Sequence, residues 1–240
     1  MFSPDHISST LKRIALDHGA AVAGIADLAP WVDPPGEPIV AFVFGLRYSD
    51  EVVEALPEAF GEDIWEPMST SFSEKALDLY ARLGDCLHRF YPSARSCRMD
   101  KAQEVLGVTI KELSQKAIAV LAGIGWMGKS SLLVHPTWGP RLRLGTLLTD
   151  AAITFDPPFR DNRCGDCRVC MDACPVQAIT GTGSRVKGFT TFGIEVQRCL
   201  DHIDRYIAQT GRRHTCGICL KVCPFGTKSG QSDWEDRACS

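Results

Sequence analysis

A chain of 240 residues with 45% hydrophobic side chains is long enough to bury a core without disulfide bonds. Its 26 basic and 29 acidic side chains give a formal charge of -3, and no run of Lys or Arg forms a nucleic-acid-binding arm. No segment reaches the roughly 18 consecutive apolar residues that a membrane span requires, and the N-terminus lacks a signal core or twin-arginine pair. These features exclude a membrane protein, give no strong nucleic-acid signal and favour the cytoplasm.

The first elements of the chain are predicted from capping signals and hydrophobic periodicity. Ser3-Pro4 is typical of an N-cap followed by proline in the first turn, so a helix begins there. A strand is predicted over residues 20–26. The unbroken apolar run 39–44 is typical of a strand covered on both faces, and we expect it at the sheet centre. Apolar residues at helical spacing over 76–90 predict a long amphipathic helix, with Cys86 as a buried thiol on its apolar stripe.

A second helix is predicted immediately before a glycine-rich stretch. Thr109-Ile110-Lys111-Glu112 has the form of a capping box, so we expect a helix to begin there. Leu113, Ala117, Val120 and Leu121 supply its apolar face. Gly123 is then placed as the C-terminal cap, a position that requires a positive φ angle.

Two further strands are predicted after this stretch, at residues 131–134 and 144–149. Together these elements predict a mixed α/β layer domain over residues 1–157, which ends near the turn-forming Asp156-Pro157-Pro158. The chain is therefore expected to be of the α+β class, with a separate cysteine-rich domain at residues 158–240.

The glycine-rich stretch also matches nucleotide-binding patterns. Gly123, four residues and then Gly128-Lys129-Ser130 fit G-x-x-x-x-G-K-[ST], and the same residues fit G-x-G-x-x-G. Both patterns need a strand before the glycines and a helix after them, because the helix N-terminus must face the phosphate. Here a predicted helix precedes the glycines and a β-prone run follows them. This order disfavours nucleotide binding.

Eight of the eleven cysteines lie between residues 164 and 223. Cys164-x2-Cys167-x2-Cys170-x3-Cys174-Pro175 has the bacterial ferredoxin spacing, in which three thiolates bind one 4Fe-4S cluster and the fourth reaches a second. A longer set follows, with a lone Cys199 and then Cys216-x2-Cys219-x3-Cys223-Pro224. The chain therefore contains enough cysteines, in the right order, for two clusters.

Exchange of the fourth ligand between the two runs divides the eight thiols into two sets. The first set is Cys164, Cys167, Cys170 and Cys223. The second set is Cys174, Cys199, Cys216 and Cys219. Zinc ribbons are the alternative, since they also use C-x2-C pairs, but zinc gives no reason for a Cys-Pro ending on both runs. Cys97 and Cys239 are predicted to be unliganded thiols.

The stretch AGIGWMGK at 122–129, the two cysteine runs and Cys199 within Arg198-Cys199-Leu200 resemble the epoxyqueuosine reductase family, which is related to the reductive dehalogenases. The resemblance covers residues 70–225. In such enzymes two 4Fe-4S clusters feed electrons to a cobalamin bound in a nitroreductase-like domain, and a ferredoxin-like domain holds the clusters. The resemblance implies that six residues lie beside the corrinoid: Gly123, Gly125, Trp126, Gly128, Lys129 and Ser130. Core packing is the alternative for Trp126 and Met127.

One departure from the family pattern concerns its proton donor. The family typically has D-T-x-P-x-x-E-R before the helix that leads into the glycine loop, and its aspartate donates the proton. Counting back from Ala122, Thr109 stands where this aspartate is expected. A threonine hydroxyl is far too weak an acid for the role, and Glu112 and Asp100 are the candidate replacements. No catalytic residue is therefore assigned.

Other departures concern the substrate and the cobalt ligand. Longer family members carry a helical-repeat domain that helps to hold tRNA, whereas this sequence stops 17 residues after Cys223, so we do not expect epoxyqueuosine in tRNA as the substrate. None of the six histidines lies in a D-x-H-x-x-G motif. If a corrinoid binds, we expect no protein histidine on its cobalt.

The sequence therefore predicts an iron-sulfur oxidoreductase that passes electrons through two 4Fe-4S clusters to cobalamin for reduction of an unknown substrate. Its electron donor is expected to be a low-potential protein of the ferredoxin or flavodoxin type. The alternative is an electron-transfer protein that reduces or reactivates the corrinoid of a partner protein and has no catalytic site of its own. The missing aspartate makes this alternative a serious one, because electron delivery needs no proton donor.

Overall fold

The computed structural model describes residues 2–57, 65–111, 113–186, 189–211 and 216–227. The chain divides into two compact units, each discontinuous in sequence. The first unit is drawn from residues 1–47, 72–124 and 143–159, and the second from residues 48–71, 125–142 and 160–240. The boundary crosses the glycine-rich stretch between Ile124 and Gly125. The two-domain division at residue 157 stays a prediction.

The first unit begins with the predicted helix, α1 (Pro4–Asp17). The Ser3 side chain caps it by accepting a hydrogen bond from the His6 amide at 3.2 Å, because an extended N-cap residue satisfies a backbone donor that the first turn leaves free. Strand β1 (Val22–Asp27) follows and pairs antiparallel with β3 (Val40–Arg47). A short strand, β2 (Val32–Asp33), lies between them in sequence.

The main sheet has the strand order β1-β3-β8-β4, in which β4 is Ser96–Arg98 and β8 is Leu142–Thr149. Strand β3 is internal, and residues Val40 to Leu46 are all buried. This confirms that the apolar run at 39–44 lies at the centre of the sheet. Its residues are apolar on both sides of the strand because both faces of the sheet are covered.

The long amphipathic helix is α3 (Trp65–Phe90). Leu79, Leu83 and Leu87 form its buried stripe, and Cys86 is buried beside them as predicted. Burial raises the pKa of the Cys86 thiol, so it remains protonated at neutral pH. Two short helices flank this segment: α2 (Asp50–Glu54) and α4 (Ala102–Leu106).

The predicted capping box is wrong. Thr109 and Ile110 form strand β5, which pairs antiparallel with β2, and the helix that follows, α5 (Gln115–Leu121), begins five residues later. Its N-cap is Ser114, whose Oγ accepts a hydrogen bond from the Ala117 amide at 3.2 Å. Strand pairing takes Thr109 into extended backbone, and Ser114 supplies the same capping chemistry. Glu112, the other half of the box, lies outside the described residues.

The end of α5 agrees with the prediction. Gly123 has φ +73°, its amide donates to Val120 O at 3.1 Å, and the Ile124 amide donates to Ala119 O at 3.0 Å. This double hydrogen bond is the Schellman motif, in which glycine tolerates the left-handed conformation. A helix therefore precedes the glycines. A two-stranded hairpin follows, formed by β6 (Trp126–Met127) and β7 (Leu133–Val134), so the nucleotide patterns lack their required context.

The cysteine-rich segment alternates short helices with one hairpin. Helix α6 (Val169–Asp172) lies within the first cysteine run and α8 (Ile218–Lys221) within the second. Strands β9 (Ile179–Val186) and β10 (Phe189–Ile194) pair antiparallel, and α7 (Val196–Thr210) carries Cys199. The chain is thus of the mixed α+β class. Among the helices that the structure describes, none is long and apolar enough to cross a bilayer.

Candidate iron-sulfur centre

The structure gathers the four thiols of the predicted first set around one pocket in the second unit. The other lining residues come from the glycine stretch and from the Cys-Pro end of the second run. The pocket is lined by Cys164, Cys167, Cys170, Cys223, Gly128, Lys129, Ser130, Val134, Pro224 and Phe225. Residues more than 50 positions apart in sequence therefore line one pocket.

The electrostatics of the first set agree with this grouping. Burial is the main cause that raises the pKa of Cys223 to about 12, and the neighbouring Cys164, Cys170 and Cys167 contribute to this rise. Burial also raises the pKa of Cys170, again with contributions from Cys164 and Cys167. Thiols this close oppose each other's ionisation, so a cation must compensate the charge when all four are thiolates.

The second predicted set shows the same mutual influence. Burial raises the pKa of Cys219 to about 12, with further contributions from Cys216, Cys170, Cys199 and Cys174. Burial is also the main cause of the raised pKa of Cys216 and of Cys199, and Cys174 contributes to both. The pKa of Cys219 is thus affected by thiols of both predicted sets, because Cys170 belongs to the first.

The chemistry of the donors fits 4Fe-4S clusters, which are held by four cysteine thiolates each. Within the described ranges, no three His, Cys, Asp or Glu side chains converge to hold a single metal ion. A cube spreads its ligands over four irons, so its thiolates need not meet at one point. The assignment of particular cysteines to particular clusters stays a prediction.

Lys129 ties the hairpin to the first cysteine run. Its Nζ donates hydrogen bonds to Gly165 O at 2.6 Å and to Cys167 O at 3.0 Å. Two carbonyl oxygens thus occupy the ammonium group, and the same side chain lines the thiol pocket. The lysine therefore binds the backbone of the cysteine run, whereas the lysine of a phosphate loop contacts a nucleotide.

Trp126 also reaches the first run. Its indole N–H donates to Cys164 Sγ at 3.4 Å, and the residue is only 2% exposed. The ring meets Phe225 edge to face, with centroids 4.9 Å apart. Asn162 adds a further bridge, since its Nδ2 donates to Met127 O at 2.9 Å and its Oδ1 accepts from the Cys164 amide at 3.0 Å. Sequence reasoning missed Asn162 and Phe225, although both stand next to a cysteine run.

The glycines of the hairpin are required by its own backbone. A Cβ on Gly125 would lie 2.9 Å from the Val134 carbonyl carbon and closer still to its oxygen. A Cβ on Gly128 would lie 2.7 Å from Val134 Cγ2. In the first unit, a Cβ on Gly123 would lie 2.8 Å from Pro157 O. These close approaches explain the glycine spacing without any bound molecule.

His135 follows β7 and is fixed as a neutral ring. Its Nδ1 accepts hydrogen bonds from the amides of Thr137 at 3.0 Å and Trp138 at 3.2 Å. Burial lowers its pKa to about 4. The proton of the neutral imidazole therefore resides on Nε2, which leaves no free ring lone pair for a metal. That no histidine binds cobalt stays a prediction.

Arg141 is a second buried polar group near the end of this segment. Its side chain is 2% exposed and donates to Asp50 Oδ1 at 3.2 Å and Glu54 Oε1 at 3.5 Å. Its buried Nε has no hydrogen-bond partner among the described residues. Buried donors of this kind are normally satisfied by protein groups or by ordered water.

Thr109 stands across a strand pair from a carboxylate. Its partner in the β2–β5 register is Asp33, which forms an ion pair with Lys111 at 2.9 Å. The Thr109 hydroxyl donates to Gln103 Oε1 at 2.6 Å. The candidate acid Asp100 is exposed, and its hydrogen bond from Arg98 lowers its pKa. Asp100 is therefore ionised at neutral pH and unsuited to proton donation.

A separate cavity of about 390 Å³ adjoins the predicted second set. It is lined by Cys174, Pro175, Val176, Gln177, Arg198, Asp201 and Arg205. Cys174 Sγ accepts a hydrogen bond from the Ala178 amide at 3.2 Å. Through this cavity solvent approaches one thiol of the second set.

The comparisons with known proteins agree with these features. Residues 163–226 match the 4Fe-4S double cluster binding domain. The epoxyqueuosine reductase of Synechococcus sp. (strain RCC307) is 28% identical over 95% of this chain and 78% of its own length. Other curated epoxyqueuosine reductases match over 29–37% of their own length, so about two thirds of each of these relatives lies outside the match.

Solved structures share the fold. The catabolic reductive dehalogenase NpRdhA, in complex with 3-bromo-4-hydroxybenzoic acid, aligns with a TM-score of 0.65 and 24% identity, over 97% of this chain and 34% of its own. The epoxyqueuosine reductase of Bacillus subtilis aligns with a TM-score of 0.62 and 20% identity, over 93% of this chain and 66% of its own. The resemblance inferred from the glycine stretch and the cysteine spacing is confirmed.

Proposed function

We propose that this chain is an iron-sulfur oxidoreductase in which two 4Fe-4S clusters carry electrons to a cobalamin that reduces a substrate. The observation that carries the proposal is the convergence of Cys223 with the first cysteine run, which brings four thiols to one pocket. The match of residues 163–226 to a double cluster binding domain supports the same conclusion. In this proposal the cysteine-rich part is a ferredoxin-like domain.

The direction of electron flow follows from the surroundings of the two sets. Cys174 lines an open cavity, so the second cluster is the natural entry for electrons from a ferredoxin or flavodoxin type of donor. The charge of Cys170 contributes to the raised pKa of Cys219, so the two predicted sets influence each other electrostatically, and we propose that electrons pass between the clusters here. The first cluster, under the glycine hairpin, then delivers electrons onward. We expect the protein to act in the cytoplasm.

Cobalamin is the acceptor proposed because of the similarity to epoxyqueuosine reductases and reductive dehalogenases. When bound, it would supply a centre that reacts with the substrate, which iron-sulfur clusters, as one-electron carriers, do not provide. The first unit, proposed to be nitroreductase-like, would hold it.

The second candidate function is delivery of electrons to the corrinoid of a partner protein. Thr109, whose hydroxyl donates to Gln103 and is far too weak an acid to protonate a substrate, favours this candidate. The carboxylate nearest in register is Asp33, already paired with Lys111. A reductase that acts on its own substrate would need its proton from this pair or from solvent.

Anaerobic reconstitution tests the cluster proposal. We expect eight irons and eight sulfides per chain in the intact protein. Cys223→Ala and Cys199→Ala should each lose one cluster, and the electron paramagnetic resonance (EPR) spectra of the two variants should differ because different clusters remain. A matched control is Cys86→Ala, which should retain eight irons. Four or fewer irons, with bound zinc, would contradict the proposal.

Titration with cob(II)alamin separates the two candidate functions. Stoichiometric binding with a change in the visible spectrum is expected if the chain holds its own corrinoid. Eight irons without corrinoid binding would favour electron delivery to a partner.

A further inference from the structure

We propose that Trp126 is a redox-tuning residue of the first cluster: its indole N–H donates to the sulfur of Cys164 and raises the reduction potential of the iron-sulfur cluster bound there. The inference rests on the proposed function, because it requires a 4Fe-4S cluster on the first cysteine set. It assigns to the hairpin a role toward the cluster, whatever the terminal acceptor is.

The geometry of the indole supports a specific interaction. The Trp126 Nε1 to Cys164 Sγ distance is 3.4 Å, within the range for a hydrogen bond to sulfur. A buried tryptophan N–H needs an acceptor, and a thiolate carries more negative charge than a thiol. The ring is 2% exposed and rests edge to face against Phe225, which lines the same pocket. The donor is therefore held against the sulfur.

Other contacts hold the indole in register with the sulfur. Asn162 bridges Met127 O and the Cys164 amide, so the residue after the tryptophan is linked to the ligand itself. Lys129 is bound to the carbonyls of Gly165 and Cys167 in the same run. Hydrogen bonds thus connect the β6–β7 hairpin to the first cysteine run, and Trp126 cannot move away from Cys164 without breaking them.

The effect on the potential has a definite sign. On reduction the cluster takes up one electron from the donor, and its negative charge, shared with the ligand sulfurs, increases by one. A hydrogen bond donated to a ligand sulfur stabilises the more negative state, and hydrogen bonds to cluster sulfurs are a recognised control of potential. Since hydrogen bonds strengthen with the charge of the acceptor, removing the indole N–H must lower the potential.

The size of the shift in reduction potential follows from the difference in strength between a neutral and a charge-assisted hydrogen bond. This difference changes the equilibrium constant for reduction by about fivefold. For a one-electron couple, a tenfold change in the equilibrium constant is 59 mV, so the potential should fall by about 40 mV. The second cluster should be unaffected, because the thiol that receives the indole hydrogen bond belongs to the first set.

The experiment is a potentiometric titration of the cluster-loaded protein, followed by EPR, for wild type and Trp126→Phe. Cys199→Ala, which is proposed to retain only the first cluster, provides the background in which its signal is resolved. We expect the midpoint potential of the first cluster to fall by about 40 mV in the Trp126→Phe variant, with unchanged iron content. An unchanged potential in a protein that still binds this cluster would overturn the inference.

Two further variants keep the test interpretable. Trp31→Phe makes the same change at a buried tryptophan of the first unit and should leave both potentials unaltered. If Trp126→Phe misfolds, replacement of Trp126 by benzothienylalanine keeps the shape of the ring and removes only the N–H, and the same fall is expected. A protein that binds fewer than eight irons before any change at Trp126 would instead count against the proposed function.

Discussion

Replacing Gly125 with alanine distinguishes two explanations for the glycine stretch. If the glycines exist only to let a corrinoid approach the backbone, the corrinoid-free protein should tolerate a methyl group there. The structure predicts the opposite. A Cβ on Gly125 would lie 2.9 Å from the Val134 carbonyl carbon and within contact distance of its oxygen, and these are main-chain atoms of the paired strand.

The expected cost follows from this contact. Overpacking costs about 1–3 kcal/mol when neighbours can adjust, and Gly125→Ala should reach about 3 kcal/mol because the hairpin must open to relieve the clash. Gly128→Ala is the matched comparison, since its Cβ would meet the side-chain Cγ2 of Val134 at 2.7 Å. We expect a cost of about 1–2 kcal/mol for it, because a side chain yields more readily than backbone.

Native-state hydrogen exchange of the cluster-loaded, corrinoid-free protein measures these costs as the free energy that opens the hairpin amides. Val134→Ala should rescue Gly128→Ala, with a coupling energy of about 1 kcal/mol in a double-mutant cycle. It should not rescue Gly125→Ala, because the carbonyl group of residue 134 remains. If Gly125→Ala lowered this opening free energy by less than about 0.5 kcal/mol, the reasoning would be refuted, and approach of a cofactor would again be the explanation for the glycine.

Three other changes follow from the structure. Burial raises the pKa of Cys97 to about 11, so at pH 8 mass spectrometry should detect alkylation of Cys97 about 100-fold slower than of a free cysteine; comparable rates would contradict its burial. Burial lowers the pKa of His135 to about 4, so the unfolded state binds a proton at a higher pH than the folded state. The free energy of unfolding should therefore fall by up to about 3 kcal/mol as the pH drops from 6.5 to 4. Denaturant titrations of His135→Asn should lack this pH dependence. Asn162→Ala breaks the bridge between Met127 O and the Cys164 amide and should cost about 2 kcal/mol of stability. The assay is the rate at which a chelator removes the absorbance of the first cluster, which should increase. Asn162→Asp keeps the acceptor for the Cys164 amide, so its stability should fall by less.

Much of the first unit could be predicted because its signals are local or strongly periodic. The apolar run at 39–44 needs burial on both faces, and only an internal strand such as β3 provides it. Gly123 is predictable as a C-cap because glycine adopts the left-handed conformation at the end of a helix with least strain. The order of elements alone argues against the nucleotide patterns, and α5 and the β6–β7 hairpin have that order.

The errors arose where distant pairing overrode local patterns. Thr109 has the chemistry of an N-cap, but its backbone pairs with Asp33, more than 70 residues earlier, and no local rule reveals this partner. The strand expected at residues 131–134 shrinks to Leu133–Val134, because Ser131 adopts φ +57° in the hairpin turn. The link from Lys129 to the carbonyls of Gly165 and Cys167 was equally invisible, since it depends on tertiary folding.

Cys223, from the second cysteine run, lines the same pocket as the first run, and this has a consequence for biosynthesis. Three ligands of the first set lie within seven residues, but the fourth is supplied 53 positions beyond Cys170. The second set likewise combines Cys174 with thiols that are made later. On the proposed ligand assignment, a nascent chain that ends before residue 216 has no complete set. Both clusters would then be inserted into the finished segment, and a truncation there should leave the protein without either.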